Sequence, residues 1–93
     1  MEEAYSIVSP VKISAKISVA LSYLADATPY KIYARKNDAG LKIPLNSIIG
    51  LLWMKIDKGD VIHFEVEGQQ ITQGAGRYVI SKIEDLLNLY AAL

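Results

Sequence analysis

Two serines are the residues of this sequence whose type and position could support phosphoryl-transfer chemistry. Ser14 stands in a short loop between Lys12 and Lys16, and Ser47 precedes an apolar run. A hydroxyl needs a neighbouring base to become a nucleophile, and no histidine or acidic residue lies within several positions of Ser14. We therefore expect Ser14 to cap a helix by accepting a hydrogen bond from an amide of the first turn.

The single histidine does not supply the missing base. His63 stands in a predicted strand in which Ile62, Phe64 and Val66 alternate with polar residues. Alternation places it on the face opposite Phe64, away from the helices. We expect His63 to be a solvated sheet residue and not part of a proton or phosphoryl shuttle.

The composition predicts a small globular protein, with residues 1–93 forming one domain. Hydrophobic residues make up 52% of the 93 residues, and ten basic residues balance ten acidic ones. A neutral chain has no general attraction to nucleic acid or to anionic membranes. Cysteine is absent, which excludes disulfides, thiol catalysis and cysteine metal sites. The acidic start and the short apolar runs indicate neither a signal peptide nor a membrane span. We expect a cytoplasmic protein without metal or cofactor.

The pattern of apolar residues predicts the order β-α-β-β-α-β-α. Strands are expected at 5–8, 30–36, 41–43 and 61–66. Helices are expected from Ser14 to the Thr28-Pro29 pair, at 47–54 and at 72–90. The last helix has an apolar stripe formed by Ala75, Val79, Ile83, Leu86 and Tyr90. This order closes most simply as an α+β fold, an antiparallel sheet with helices on one face. Other split-βαβ domains, including small-molecule-binding modules, share the pattern.

Three segments in the second half of the chain resemble the HPr family. HPr is the small histidine-containing phosphocarrier of the bacterial sugar phosphotransferase system. The segments are LNSIIGLLWM at 45–54, KGDVI at 58–62 and EG at 67–68. They are similar to the HPr run Lys-Ser-Ile-Met-Gly-Leu-Met-x-Leu, then Gly-Asp-x-Ile, then x-Glu-Gly. The resemblance extends from about residue 5 to residue 87, with a longer loop at 37–40. It implies an open-faced β-sandwich, a four-stranded antiparallel sheet covered on one face by three helices.

The segment SPVKISAK at 9–16 resembles the HPr active-site loop, Pro-x-Gly-Leu-His-x-Arg-Pro, in a changed form. Ser14 occupies the position of the phosphorylated histidine, Lys16 that of the arginine, and Ile17 that of the proline. A serine phosphate is a stable ester, whereas transfer needs the good leaving group that imidazole provides. The resemblance therefore implies a non-catalytic relative that is not a phosphocarrier. Two alternatives are a remnant anion site at Ser14 and Lys16, and a phosphocarrier with an atypical acceptor.

By the same resemblance, Ser47 matches the regulatory serine of Gram-positive HPr proteins. An ATP-dependent HPr kinase phosphorylates that serine, and the product binds a transcription factor that controls carbon catabolite repression. The resemblance thus implies a regulatory protein, with HPr kinase, phosphotransferase-system enzymes or such a transcription factor as partners. In the alternative interpretation Ser47 only caps the second helix, with Asn46 as a competitor for that role. The protein would then be an interaction or small-molecule-sensing module without phosphorylation.

The second predicted helix has more apolar residues than a short helix can bury. If Leu51 and Met54 point into the core, residues on the other side lie largely outside it. An exposed apolar patch usually marks an interface. We therefore expect a partner-binding surface formed by Ile48, Ile49, Leu52 and Trp53. Self-association as a homodimer, or packing against the 37–40 loop, would cover the same residues.

Overall fold

Four strands and three helices follow one another in the predicted order βαββαβα. The computed structural model describes residues 2–37, 40–68 and 74–93. The elements are β1 (Glu2–Val8), α1 (Ala15–Asp26), β2 (Lys31–Lys36), β3 (Ile43–Pro44), α2 (Ile48–Met54), β4 (Val61–Glu67) and α3 (Ala75–Ala91). Within these residues, no helix is both long enough and apolar enough to cross a membrane.

The four strands form one antiparallel sheet in the order β1-β4-β2-β3. Phe64 of β4 lies opposite Tyr5 of β1 and Ala34 of β2, which fixes the register across the three strands. Side chains alternate along a strand, so every second residue of β4 is buried under the helices. The helices cover this face only, and the predicted open-faced sandwich is confirmed.

The core lies between the buried face of the sheet and the apolar stripes of the helices. Leu21 of α1, Leu51 of α2 and Ile83 of α3 each bury almost their whole side chain against it. The contributing strand residues are Ile32, Ala34, Ile62, Phe64 and Val66. Because each helix contributes only one apolar stripe, the opposite side of every helix is free to carry other functions.

The third strand differs from its prediction at 41–43. β3 comprises only Ile43 and Pro44, which lie opposite Ala34 and Tyr33. Leu41 is 72% exposed and precedes the strand. Proline has no amide hydrogen and is tolerated in an edge strand, which is where β3 lies. The apolar character of Leu41 is therefore a surface property and not a strand signal.

The last helix also differs from its prediction. α3 begins at Ala75 after Gly74, which has φ 91° and forms the N-cap, while the predicted start at 72 lies outside the described residues. Leu86, placed on the apolar stripe by the sequence, is only half-buried, whereas Leu87 is fully buried. The buried row runs through Val79, Ile83 and Leu87 at spacings of four, which lie on one side of the helix.

Candidate functional site

Ser14 is the N-cap of α1. Its backbone is extended, and its hydroxyl oxygen accepts the amide hydrogen of Ile17 at 3.3 Å. The side chain is exposed, as is that of Lys16 in the first turn of the helix. The predicted capping role is therefore confirmed. An anion at this helix end stays a prediction, since the hydrogen bond to Ile17 accounts for the position of the serine.

The loop before Ser14 is held by the chain that follows α2. The amide of Ile13 donates to the carbonyl of Ile56 at 3.0 Å, and the amide of Ser9 donates to the carbonyl of Asp60 at 2.8 Å. The amide of Gly59 returns a bond to the carbonyl of Ser9 at 2.9 Å. The loop therefore has a fixed backbone, although its side chains differ from those of the HPr active-site pattern.

Asp60 stabilises the turn that holds this loop. Its carboxylate accepts the amide hydrogen of Asp57 at 2.7 Å and lies 3.6 Å from Lys36 Nζ. The bond from the Asp57 amide, followed by the charge of Lys36, lowers the pKa of Asp60 below its ordinary value. The ionised carboxylate is thus part of the folded turn.

His63 belongs to a different face of the molecule. It lies opposite Ser6 and Arg35 in the sheet, on the face away from Phe64 and the helices, as the alternation predicts. Ser6 Oγ lies 2.6 Å from His63 Nδ1, so the imidazole is hydrogen-bonded and only half-exposed. This arrangement separates the imidazole from the helix end that carries Ser14.

Ser47 is the N-cap of α2. Its hydroxyl oxygen accepts the amide hydrogen of Gly50 at 3.1 Å. The competing cap residue, Asn46, instead donates through Nδ2 to Asp26 Oδ1 at 3.1 Å. The sequence left the choice between the two open, and the contact with Asp26 decides it in favour of Ser47.

Gly50 has a packing role at the same position. A Cβ built on Gly50 would overlap Ile43 Cγ2 and approach Ser47 Oγ to 2.8 Å. The absence of a side chain allows the first turn of α2 to lie directly against β3. Both ends of the Ser-Ile-Ile-Gly segment are therefore constrained: Ser47 by its cap hydrogen bond, and Gly50 by its close approach to β3.

The outer side of α2 is apolar, and we call it the α2 surface. Leu51 and Met54 are buried, as expected. The exposed fractions of the α2-surface residues are 37% for Ile48, 82% for Ile49, 38% for Leu52 and 67% for Trp53. The expectation that these residues lie largely outside the core is confirmed for Ile49 and Trp53, whereas Ile48 and Leu52 are only partly exposed. The binding role of all four residues stays a prediction.

Sequence reasoning missed one member of this region. Leu41 shares with Trp53 a shallow groove of about 440 Å³, which Gly40 and Met54 also line. Asn37 and Gly40, at the two ends of the 37–40 loop, line this groove with Trp53, whose ring stays mostly exposed, while residues 38 and 39 lie outside the described residues. The sequence feature that could have indicated Leu41 is its apolar side chain directly after the predicted turn at 37–40.

Metal chemistry finds no support in the described residues. No group of three or more histidine or acidic side chains there is close enough to hold an ion.

The sheet order and the three helices on one face are those of the HPr fold. The sequence model of the PTS HPr component phosphorylation site matches residues 1–88, and the chain belongs to this family. Members of the family are phosphocarriers of the phosphotransferase system and interact with its other proteins, and they are not catalysts in themselves. A comparison with curated proteins gave no significant match.

Solved structures agree with this assignment of fold. HPr-C-His from Thermoanaerobacter tengcongensis superposes with a TM-score of 0.68 at 19% identity, over 95% of this chain and 96% of the other. The phosphocarrier protein HPr from Bacillus anthracis gives 0.68 at 16% identity, over 92% and 94%. The histidine-containing phosphocarrier protein of a mycoplasma gives 0.70 at 21% identity, over 98% and 96%. At these identities the likeness shows the fold alone.

Proposed function

We propose that this protein is a cytoplasmic, HPr-like regulatory protein of the phosphotransferase system. It binds protein partners through the α2 surface, and phosphorylation of Ser47 controls that binding. The observation that supports this function is the position of Ser47, which caps α2 and directly precedes the exposed Ile48 and Ile49.

A phosphate at Ser47 would change the surface without requiring a new fold. It adds a charge of about −1.5 to −2 at pH 7 and three acceptor oxygens. The amide of Gly50, which already donates to Ser47 Oγ, lies at the positive end of the helix dipole. The negative charge would then lie beside Ile48 and Ile49, where it would select between partners.

Ser14 does not act as a phosphocarrier residue in this proposal. Its hydroxyl is engaged with the amide of Ile17, and no imidazole of the described residues faces it. A serine phosphate at this position would not transfer onward, because an alkoxide is a poorer leaving group than imidazole. The proposed partners are accordingly an HPr kinase, enzymes of the phosphotransferase system or a catabolite-control transcription factor.

Two labelling reactions test the proposal. In the first, HPr kinase and ATP are expected to add one phosphate, which intact mass detects and which the Ser47→Ala variant fails to accept. In the second, phosphoenolpyruvate and the general phosphotransferase enzyme are expected to leave the protein unlabelled. Label of either kind in the second reaction, acid-labile or acid-stable, would contradict the regulatory function and support a phosphocarrier with an atypical acceptor.

A second candidate is an HPr-fold interaction module without phosphorylation. It is favoured by Asn46, which stands where the family usually has lysine and is engaged with Asp26. Loss of that lysine removes a charge next to the acceptor serine. An unmodified Ser47 under conditions in which a known HPr is fully phosphorylated would support this candidate.

A further inference from the structure

β1 is an edge strand with a neighbour on one side only. Among the described residues it pairs with β4 in an unbroken register from Glu2↔Glu67 to Val8↔Val61, and no strand lies beyond it. An edge strand directs unpaired N–H and C=O groups away from its neighbour. β1 therefore presents a row of hydrogen-bonding groups that another extended chain can use.

A groove of about 330 Å³ runs between this edge and α3, and we call it the β1–α3 groove. Four consecutive residues of β1, from Tyr5 to Val8, line one side together with Pro10. Because these residues are consecutive, the groove follows the strand backbone and not one face of the sheet. The helix side is lined by Arg77, Ile80, Ser81, Glu84 and Asn88.

The polar residues of the helix side form one row. Arg77, Ser81 and Glu84 are separated by four and three positions, a spacing that places side chains on the same helix face. Ile80 is buried and supplies an apolar floor beside this row. The groove thus combines backbone groups on one wall with an apolar centre and polar ends on the other.

The helix side of the groove carries a basic residue and an acidic residue seven positions apart, and the Tyr5 end also holds the carboxylate of Glu3, which accepts a hydrogen bond from the Tyr5 hydroxyl. A Cβ built on Gly76 would lie 2.9 Å from the Tyr5 hydroxyl, so Arg77 belongs to the Tyr5 end. Glu84 follows seven residues later, about 10 Å further along the helix axis, and lines the groove together with Val8 and Pro10; we take it to face the Val8 end. Arg77 and Glu84 are exposed, and neither is in an ion pair of the described residues.

We propose that the β1–α3 groove binds an extended peptide as an additional antiparallel strand on β1. The peptide has a basic side chain at its N-terminal end, beside Glu84, and an acidic one at its C-terminal end, beside Arg77. In strand addition the backbone hydrogen bonds provide affinity, and alternate side chains provide specificity. Antiparallel pairing continues the pattern of the sheet. This proposal is independent of the α2 surface.

A second copy of β1 is the poorer occupant. Antiparallel pairing about Tyr5 would bring the partner's N-terminal end, which carries Glu3 in this chain, toward the Val8 end of the groove. Glu84 lines that end, so two carboxylates would approach each other. A peptide with a basic N-terminal residue has the complementary charge, which is why we assign the groove to a foreign segment.

Two pentapeptides of identical composition test the proposal. Acetyl-Lys-Thr-Val-Thr-Glu-amide places its first, third and fifth side chains toward α3, with valine over Ile80. Acetyl-Glu-Thr-Val-Thr-Lys-amide is the matched control. We expect the first peptide to shift the amide NMR signals of residues 5–8 and of Ser81, and to bind at least about threefold more tightly than the control, as two exposed charge pairs allow.

A charge-exchanged protein provides the reciprocal test. The double variant Arg77→Glu, Glu84→Arg is expected to prefer the control peptide by a similar factor. Both positions are exposed, so the fold should be retained, which unchanged signals of the core residues will verify. A peptide methylated at the valine nitrogen and at the following threonine nitrogen should lose binding, because it cannot pair along the edge.

Any one of the following results would overturn the proposal. They are equal binding of the two pentapeptides, an unchanged preference in the double variant, undiminished binding of the methylated peptide, and unshifted signals at residues 5–8 up to about 10 mM peptide. Signals at residues 5–8 that move with protein concentration alone would assign the edge to a second copy, and would equally overturn it.

Discussion

The hydroxyl oxygen of Ser47 accepts the amide hydrogen of Gly50 at 3.1 Å, while Gly50 lies directly against Ile43 of β3. The residue proposed as phosphoacceptor is therefore also the residue that starts α2. A substitution at Ser47 is therefore expected to affect both the stability of α2 and the proposed regulation. Variants that change one side chain at a time measure each effect.

Replacement of Ser47 by alanine should destabilise the protein by about 1 kcal/mol. The change removes the N-cap acceptor and leaves the Gly50 amide without its partner. Ser47→Asp keeps an acceptor and adds a negative charge at the positive helix end, so it should retain most of the stability. Urea unfolding of the three proteins measures the difference. An alanine variant as stable as the parent would mean that α2 does not depend on this cap.

Gly50→Ala should lower the free energy of unfolding by about 1–3 kcal/mol through overpacking. The added methyl group would overlap Ile43 and crowd the hydroxyl of Ser47. The matched control is the neighbouring Ile49→Ala, whose side chain is 82% exposed and should change stability by less than about 0.5 kcal/mol. Thermal unfolding measures both variants, and equal changes in their melting temperatures would contradict the close packing of α2 on β3.

Asp60→Asn should show a pH-dependent loss of stability. The folded protein lowers the pKa of Asp60, so its carboxylate stabilises the fold above the ordinary value of 3.8. That contribution is lost as the pH falls through the lower, folded pKa. The variant should therefore be less stable than the parent at neutral pH, and the gap should close in acid. Thermal unfolding across this range checks the sign, and a gap that is constant with pH would refute it.

Trp53→Ser should change stability by less than about 0.5 kcal/mol while weakening partner binding or self-association. The ring is 67% exposed, and aromatic residues often dominate interfaces. Tyr78→Ser on α3, where the ring is 64% exposed, is the matched control and should leave association unchanged. Thermal unfolding and sedimentation separate the effects. A large fall in melting temperature with unchanged association would assign Trp53 to structural packing.

The double change Ser14→His, Lys16→Arg should give weak acceptance of phosphate from phosphoenolpyruvate. The loop backbone is already fixed by the bonds of Ser9 and Ile13 to the 56–60 segment, so the missing parts are side chains. Acid-labile label on the variant, absent from the parent, is the expected result. A folded variant without label would show that the loop has diverged further, with Ile17 in the place of the family's proline as the first position to examine.

Patterns that depend on neighbouring residues were predicted well from the sequence. The cap at Ser14, the exposure of Ile49 and the outward direction of His63 all follow from local periodicity and helix-end chemistry. Features that depend on contacts between residues far apart in the sequence were not predicted. The choice of Leu87 over Leu86 depends on how α3 lies across the sheet, and the bond from Ile13 to Ile56 joins residues far apart in sequence.

The position of β4 in the sheet has a consequence for synthesis on the ribosome. Both β1 and β2 pair with β4, so the first strand waits for partners about sixty residues downstream. Until Val61–Glu67 leaves the exit tunnel, β1 and β2 lack the strand that joins them, and α1 and α2 lack the central part of the sheet on which they pack. Such non-local closure delays folding and exposes apolar segments in the meantime. We therefore expect the sheet to close only after β4, the sixth element of the fold, has emerged.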